Sequence, residues 1–439
     1  MRYGVLIFFT GLHFISLQLK AQQQNDSVLT NATLDRVVQY AIEKQPVVQQ
    51  SIIDEKITDL QVKSKLSEWY PQVNFNYLYQ HNFQVQTSVI GGNAIKLGVD
   101  NSSALQFYAS QTIFNRDVII AAQTGHVVRE QAKQQTSETK IDLIVNVSKS
   151  FYDVLATRRQ IQVTDENITR LQRSLNDARA QYDAGVVDKT DYKRATILLN
   201  KAVVSKKANE EALKAKTENL KYLMNYPVTL ALDLVYDSTE LERHILLDTT
   251  RHADYSNRIE YQILQTQMQL QEANVKYNKW SFMPSLSAEG AYNLNYLNND
   301  FGKLYNSSYP NSYAGLTLAF PIFQGGKRLT DIKQAEWELK RTELDIKNFQ
   351  NAVNSEYTTA LAAYKVSLAN YRTIKENVEL AQEVYDIIEL QYRSGIKTYL
   401  DVILAEADLR TEQITYFDAL YNVMSSKLDV QKSLGEIIP

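Results

Sequence analysis

The chain of 439 residues has no cysteine, only 7 prolines and 14 glycines, and no marked excess of charge of either sign. Each shortage excludes something. Without cysteine there is no disulfide staple, no thiolate metal ligand and no thiol to carry a lipid at a cleavage site. Few helix breakers leave room for long uninterrupted helices. Past the first twenty residues no run reaches the roughly 18 apolar residues that a membrane-crossing helix needs. Residence in a membrane therefore has to come from a β-barrel, because only helices and closed barrels satisfy every backbone group in lipid. With 47 basic against 50 acidic residues and a net charge of -3, there is no basic footprint for nucleic acid, and nucleic acid is not expected as a partner.

The N-terminus reads Met1-Arg2, a mostly apolar run from Val5 to Leu19, then Lys20-Ala21-Gln22. Charged start, apolar middle and small-residue site are the pattern of a secretory signal, so residues 1–21 are expected to direct export and are set aside from the fold.

An internal repeat organises the remainder. Gln181-Tyr182-Asp183-Ala184-Gly185-Val186 and Gln391-Tyr392-Arg393-Ser394-Gly395-Ile396 match at an offset of 210 residues, which also pairs Asp191 with Asp401, Ala195 with Ala405 and Leu199 with Leu409. Upstream of each glycine apolar residues recur every seven: Val147, Val154, Ile161, Ile168, Leu175 and Tyr182 in one copy, Tyr364, Tyr371, Val378, Tyr385 and Tyr392 in the other. A period of seven is the coiled-coil signature. From Lys327 to Gln391 such a helix would be about 100 Å long. Gly185 and Gly395 stand where a helix end favours a left-handed residue, and helix starts follow at Asp188 to Asp191 and Thr398 to Asp401, which makes each copy a helical hairpin. Downstream partners are expected over about 191–224 and 401–434.

Ahead of the heptads the period changes to two. Val73, Phe75, Tyr77 and Tyr79 alternate with Asn74, Asn76, Leu78 and Gln80; Leu105, Phe107 and Ala109 alternate with polar neighbours; Leu286, Ala288, Gly290, Tyr292, Leu294 and Tyr296 alternate with residues such as Ser287, Glu289, Asn293 and Asn295; a fourth strand carries Leu316, Leu318 and Phe320. One apolar face and one Asn/Gln/Ser face is the pattern of a water-filled transmembrane barrel, although alternation alone also fits solvated hairpins on a soluble sheet. Four strands cannot enclose a water-filled lumen, so several chains must share one barrel. Loops are expected at Thr87 to Asp100, with Gly91-Gly92, and at Asn299 to Pro310. Trp69-Tyr70-Pro71 and Trp280 to Pro284 fall at helix-to-strand junctions, where aromatics suit a membrane interface and the prolines also suit ordinary helix stops.

The sequence from Thr33-Leu34 through Gln45-Pro46, the Trp69-Tyr70-Pro71 junction, Phe320-Pro321-Ile322-Phe323-Gln324-Gly325-Gly326 and the two Tyr-x-x-Gly helix ends resemble the TolC outer-membrane efflux family, across essentially the whole mature chain. The first copy departs from the pattern, with Gln111-Thr112-Ile113-Phe114-Asn115-Arg116 in place of the Pro-x-Phe-x-Gly-Gly turn. The resemblance implies a fold that joins an all-α coiled coil to a transmembrane β-barrel: a homotrimer sharing one twelve-stranded barrel in the outer-membrane lipid and extending a helical tunnel into the periplasm. Residues 22–225 form the first repeat (β-hairpin about 73–114, helical hairpin about 117–225), 226–257 an equatorial segment, and 258–439 the second repeat (β-hairpin about 285–323, helical hairpin about 327–435). It implies partners too: a periplasmic adaptor of the membrane fusion class and an inner-membrane transporter of the RND, ABC or MFS class, for drug, metal or protein export. The periplasmic gate maps onto Thr190 and Asp191 in the first hairpin and Tyr392 and Lys397 in the second, with Asp401 facing the constriction. Lys397 stands where arginine is typical and Leu404 where a second acid is typical.

Two other classes compete. An exported coiled-coil scaffold or adaptor explains the heptads but not four alternating strands of lipid-crossing length. An enzyme has little support: His13, His81, His126, His244 and His252 are scattered without metal-ligand spacing, and Gly325-Gly326-Lys327 lacks the spacing of a phosphate-binding loop. No catalytic residue, metal or cofactor is expected. Asp191 and Asp401 also suit a plainer role as acids in the first turn of a helix.

Overall fold

A computed structural model describes residues 29, 31–186, 188–235, 242 and 245–439. The expected export signal lies outside these residues, as do His13 and His244. Two long helices dominate: α3 (Arg116–Asp183), of 68 residues, and α6 (Lys327–Arg393), of 67 residues. Each is about 100 Å long at 1.5 Å per residue. The first opens on Asn115, whose side chain accepts from the Asp117 N–H at 2.8 Å. Shorter helices complete the layer: α1 (Leu34–Lys44), α2 (Pro46–Ser67), α4 (Lys189–Met224), α5 (Ile259–Lys279) and α7 (Tyr399–Ser433). Helix α4 folds back on α3 and α7 on α6, while α2 and α5 pack beside them and α7 also lies along α3. Among the described residues no helix is long and apolar enough to cross a membrane.

At one end of the helices the strands β1 (Gln72–His81), β4 (Asn101–Phe114), β5 (Ser285–Asn298) and β6 (Ser308–Ala319) form one antiparallel sheet in the order β1-β4-β5-β6. The register aligns Phe75 with Phe107, Phe107 with Tyr292, and Leu286 with Leu318, so the apolar residues share one face. The other face carries Asn76, Gln106, Asn293 and Asn311 at one level. Strands β1 and β6 are edges, each with one side unpaired among the described residues.

Three strand-level expectations are corrected. Residues Thr87 to Asp100 are not a plain loop: β2 (Thr87–Ile90) and β3 (Asn93–Lys96) pair across Gly91-Gly92, whose φ values of 62° and 85° suit the tight hairpin turn that two glycines permit. Pro310 belongs to β6 rather than to the preceding loop, which an edge strand tolerates. Phe320 lies past the end of β6, because Pro321 has no N–H for the ladder and restricts the residue before it.

The heptad seam also differs. Val147 and Val154 are buried, but Ile161, Ile168 and Leu175 are half-buried and Tyr182 is exposed. The buried positions continue instead at Thr157, Thr164, Leu171 and Ala178, a shift of three residues that locally overwinds a coiled coil. In α6, Tyr357, Tyr364 and Tyr371 are buried at heptad spacing, within the largest apolar cluster.

That tyrosine stripe holds the segment between the repeats. The Tyr364 hydroxyl donates to the Ile245 carbonyl at 2.9 Å and accepts from the Leu247 N–H at 3.0 Å. Tyr357 donates to the Arg251 carbonyl, and Glu242 accepts from Tyr416 at 2.6 Å while pairing with Lys375 at 2.7 Å. Burial works against the Glu242 charge, but Lys375 and Tyr416 outweigh it and hold its carboxyl below the ordinary value.

Candidate functional site: hairpin tips and barrel wall

The two hairpin tips are built alike. Gly185 and Gly395 have φ of 73° and 74°, and no atom lies within 4 Å of where a Cβ would stand, so backbone conformation rather than space selects glycine. The Val186 N–H donates to the Gln181 carbonyl and the Gly185 N–H to the Tyr182 carbonyl; Ile396 to Gln391 and Gly395 to Tyr392 repeat the pattern, all at 2.9 Å. These paired bonds form the Schellman closure of a helix end. Its usual apolar lid is left uncovered: Val186 and Ile396 are each 73% exposed.

The helix starts beyond the tips differ. Asp401 and Thr398 form a capping box, with the Asp401 carboxylate accepting from the Thr398 N–H at 2.9 Å and its hydroxyl at 2.8 Å. The Thr398 hydroxyl and N–H hold the Asp401 carboxyl below the ordinary carboxylate range. In the first hairpin the cap is Asp188, which accepts from the Thr190 N–H and hydroxyl. Asp191 is thereby left out of the side-chain capping: its N–H donates to the Asp188 carbonyl at 3.2 Å, and its carboxylate has no hydrogen bond or salt bridge among the described residues. Lys397 is exposed, beside Asp401. Among the described residues, Tyr392 is the one of the five gate positions read from the sequence whose side chain hydrogen-bonds across to the other hairpin: its hydroxyl donates to Gln181 Oε1 at 3.2 Å. Its ring packs with Tyr192 and Leu198 against Ala178, Ala195, Tyr399 and Ile403.

What sequence reasoning missed is a line of polar links between α3 and α7, running antiparallel from the core to the tips. Lys432 pairs with Asp142 at 2.7 Å, Lys149 with Asp429 at 2.5 Å, Gln160 with Asp418 at 2.6 Å, and Ser174 with Tyr399 at 2.8 Å. The buried member is Glu406, 3% exposed, which accepts from Asn167 at 3.1 Å and Arg170 at 3.3 Å. Burial pushes its carboxyl up, with Arg170 pulling the other way. Burial likewise pushes the neighbouring Tyr385 and Tyr399 hydroxyls up to about 12.

At the opposite end, Trp69 and Tyr70 are exposed beside Pro71, and Trp280, half-buried under the Lys276 ammonium 4.8 Å from its ring, precedes Pro284. The same junction exposes Phe282, Phe320, Ile322 and Phe323, which widens the band the sequence indicated. Among the described residues no group of three or more His, Asp or Glu side chains could hold a metal ion.

A four-stranded sheet with one apolar and one polar face, set on helices about 100 Å long, is the protomer fold of a barrel-and-tunnel channel. Comparison with known proteins agrees. The outer membrane efflux protein family matches residues 37–225 and 257–436. The chain belongs to that family: it is an exit channel of the outer membrane, in a family of transport channels rather than enzymes. It is 22% identical over 391 residues to the outer membrane protein TolC of Vibrio cholerae, covering 86% of this chain and 84% of that one. The proteases secretion protein PrtF of Dickeya chrysanthemi is 19% identical over 380 residues, covering 84% and 80%. The solved structure of CusC superposes with a TM-score of 0.75 at 16% identity, covering 93% of this chain and 95% of that one.

Proposed function

We propose that three copies of the chain share one twelve-stranded barrel and line one helical tunnel, forming a passive, gated duct through which an inner-membrane transporter exports its cargo. The observation that carries this reading is the four-stranded sheet with two open edges. Edge β6 of one protomer can pair with edge β1 of the next, which satisfies the backbone groups that lipid would leave unpaired. The apolar face with Phe75, Phe107, Tyr292 and Leu318 then meets lipid, and the Asn/Gln face lines water. The aromatic band around Trp69, Tyr70 and Trp280 sits at the periplasmic boundary of the outer membrane.

The chain divides into a first repeat, an equatorial segment and a second repeat, with the segment tied to α6 by the tyrosine stripe. At the tips, the side chains of Asp191 and Lys397 have no hydrogen bond or salt bridge among the described residues and can link with a neighbouring copy, and together with Thr190, Tyr392 and Asp401 they hold the periplasmic end shut. The uncovered Val186 and Ile396 offer an apolar contact for a periplasmic adaptor, which couples the duct to a transporter of the RND, ABC or MFS class. The description of the family as efflux proteins supports an efflux cargo, and the name of the proteases secretion protein PrtF supports protein as a second cargo class. The reading includes no catalytic step and no cofactor. A coiled-coil scaffold without a pore leaves the two-faced sheet unexplained.

Mass measurement of the detergent-extracted protein tests the proposal: three copies are expected, and a monomer that inserts and conducts would refute the shared barrel.

A further inference from the structure

The four strands of the sheet contain a single Asp, Glu, Lys or Arg, namely Glu289. It is the fifth residue of β5, near the helical end, on the face that carries Ser287, Asn293 and Asn295. Its cross-strand neighbours are Ser110 and Gly315. The Tyr108 hydroxyl donates to Oε2 at 3.0 Å and the Thr317 hydroxyl to Oε1 at 2.7 Å, so strands β4 and β6 both fix the carboxylate. It has no salt-bridge partner among the described residues. Gly315 presents no side chain opposite it, and a Cβ built there meets nothing within 4 Å.

The charge is not needed for this clamp. A glutamine of the same length could engage the same two hydroxyls, and amides are what the other strands place on this face, at Asn76, Gln106 and Asn311. Ionisable residues at membrane depth are costly and are kept for function, and rings of Glu or Asp are a means by which pores favour cations.

We propose that Glu289 sets the ion preference of the barrel: three copies form a carboxylate ring on the lumen wall that favours cationic over anionic solutes, separately from the helix tips. This rests on the shared-barrel reading and adds the charge class of solute that the wall favours. Both carboxylate oxygens keep lone pairs beyond their one hydroxyl partner and can attract hydrated cations without giving up the clamp. The field reaches about 10 Å at 0.1 M salt and about 3 Å at 1 M.

Thiol labelling tests this without reference to the periplasmic gate, since the chain has no cysteine of its own. Asn293→Cys lies four residues from Glu289 on the same face, about 13 Å along the strand, a distance the field spans at 0.01 M salt, where it reaches about 30 Å. In purified trimers, methanethiosulfonates bearing trimethylammonium or sulfonate are compared by reaction rate. The cationic reagent is expected to be favoured several-fold beyond its preference on a free thiol. That excess should vanish with added Glu289→Gln, survive Thr317→Val, and shrink in 1 M salt. A rate ratio unchanged by Glu289→Gln overturns the proposal. So does loss of the trimer in Glu289→Gln with recovery in Glu289→Asp, which makes the charge a structural requirement. Asn293→Cys protected while Tyr292→Cys reacts overturns the wall assignment itself, and a monomeric mass overturns the ring.

Discussion

The hydroxyl of Tyr392, on α6, donates a hydrogen bond of 3.2 Å to the side chain of Gln181, on α3, and each residue belongs to the turn that ends its own helix. Gln181 contributes its carbonyl to one Schellman closure and Tyr392 contributes its carbonyl to the other. The two tips are thus coupled through residues that also shape them, close in sequence to Asp191 and Lys397, whose side chains have no hydrogen bond or salt bridge among the described residues. Exposed links of this kind are individually weak, and in the proposed trimer their threefold repetition would let them bias the proposed gate.

Asp191→Ala combined with Lys397→Ala is therefore expected to raise single-channel conductance in planar bilayers while leaving trimer assembly and melting temperature nearly unchanged. Conductance equal to the parent with earlier melting would place these residues among the helix caps and the gate elsewhere.

Arg170→Ala leaves the Glu406 carboxylate buried without its ion-pair partner, which costs about 3 kcal/mol. Glu406→Gln removes the charge and keeps the hydrogen-bonding length, so it should cost much less. The double variant should recover most of the loss seen with Arg170→Ala alone. Denaturant midpoints of the four proteins decide it, and strict additivity would mean that the pair is not coupled.

Tyr364→Phe strands the buried Ile245 carbonyl and the half-buried Leu247 N–H, at a cost of about 1–3 kcal/mol. The segment around residues 245–257 should become more sensitive to limited proteolysis while the β-sheet stays protected. Unchanged cleavage would show that the rest of the tyrosine stripe suffices to hold it.

The two shifted acids of α7 predict opposite pH slopes. The Glu406 carboxyl is raised above its ordinary value of 4.5, so the folded state binds its proton more readily than the unfolded chain. Its contribution is present below that value and is lost as pH rises through the raised pKa. The Asp401 carboxyl is lowered from 3.8, and its contribution is present above that value and lost as pH falls through the lowered pKa. Between neutral pH and the ordinary carboxylate range the parent should gain stability on acidification from Glu406, and Glu406→Gln should lose that slope. Matching slopes in parent and variant would contradict the burial argument.

What could be read from the sequence was whatever rests on local rules. The glycine turns at 185 and 395 follow from helix-end conformation, and the strands follow from period two around Phe75 and Tyr292. The α3–α7 links could not be read, because Glu406 looks like any helix-surface acid until its partners Asn167 and Arg170, more than 230 residues away, are aligned with it. The seam shift after Val154 was hidden because Ile161 is as apolar as a buried position requires. Tyr364 was visible as a heptad residue, but the backbone it ties down carries no side-chain signal. Asp191 and Asp401 match by offset, yet Asp188 in one copy and Thr398 in the other give them different work.

The bare edges of β1 and β6 also bear on how the protein reaches its destination. A single copy that entered the bilayer would carry two rows of unsatisfied N–H and C=O groups into hydrocarbon, each group costing several kcal/mol. A copy waiting outside would instead expose the phenylalanines and tyrosines of the lipid face to water. Under the shared-barrel proposal neither state is stable, so insertion and assembly are expected to be one event, whose rate rises steeply with the local supply of copies and falls when that supply is diluted. The channel's abundance would then be set by a threshold in biogenesis rather than in proportion to synthesis.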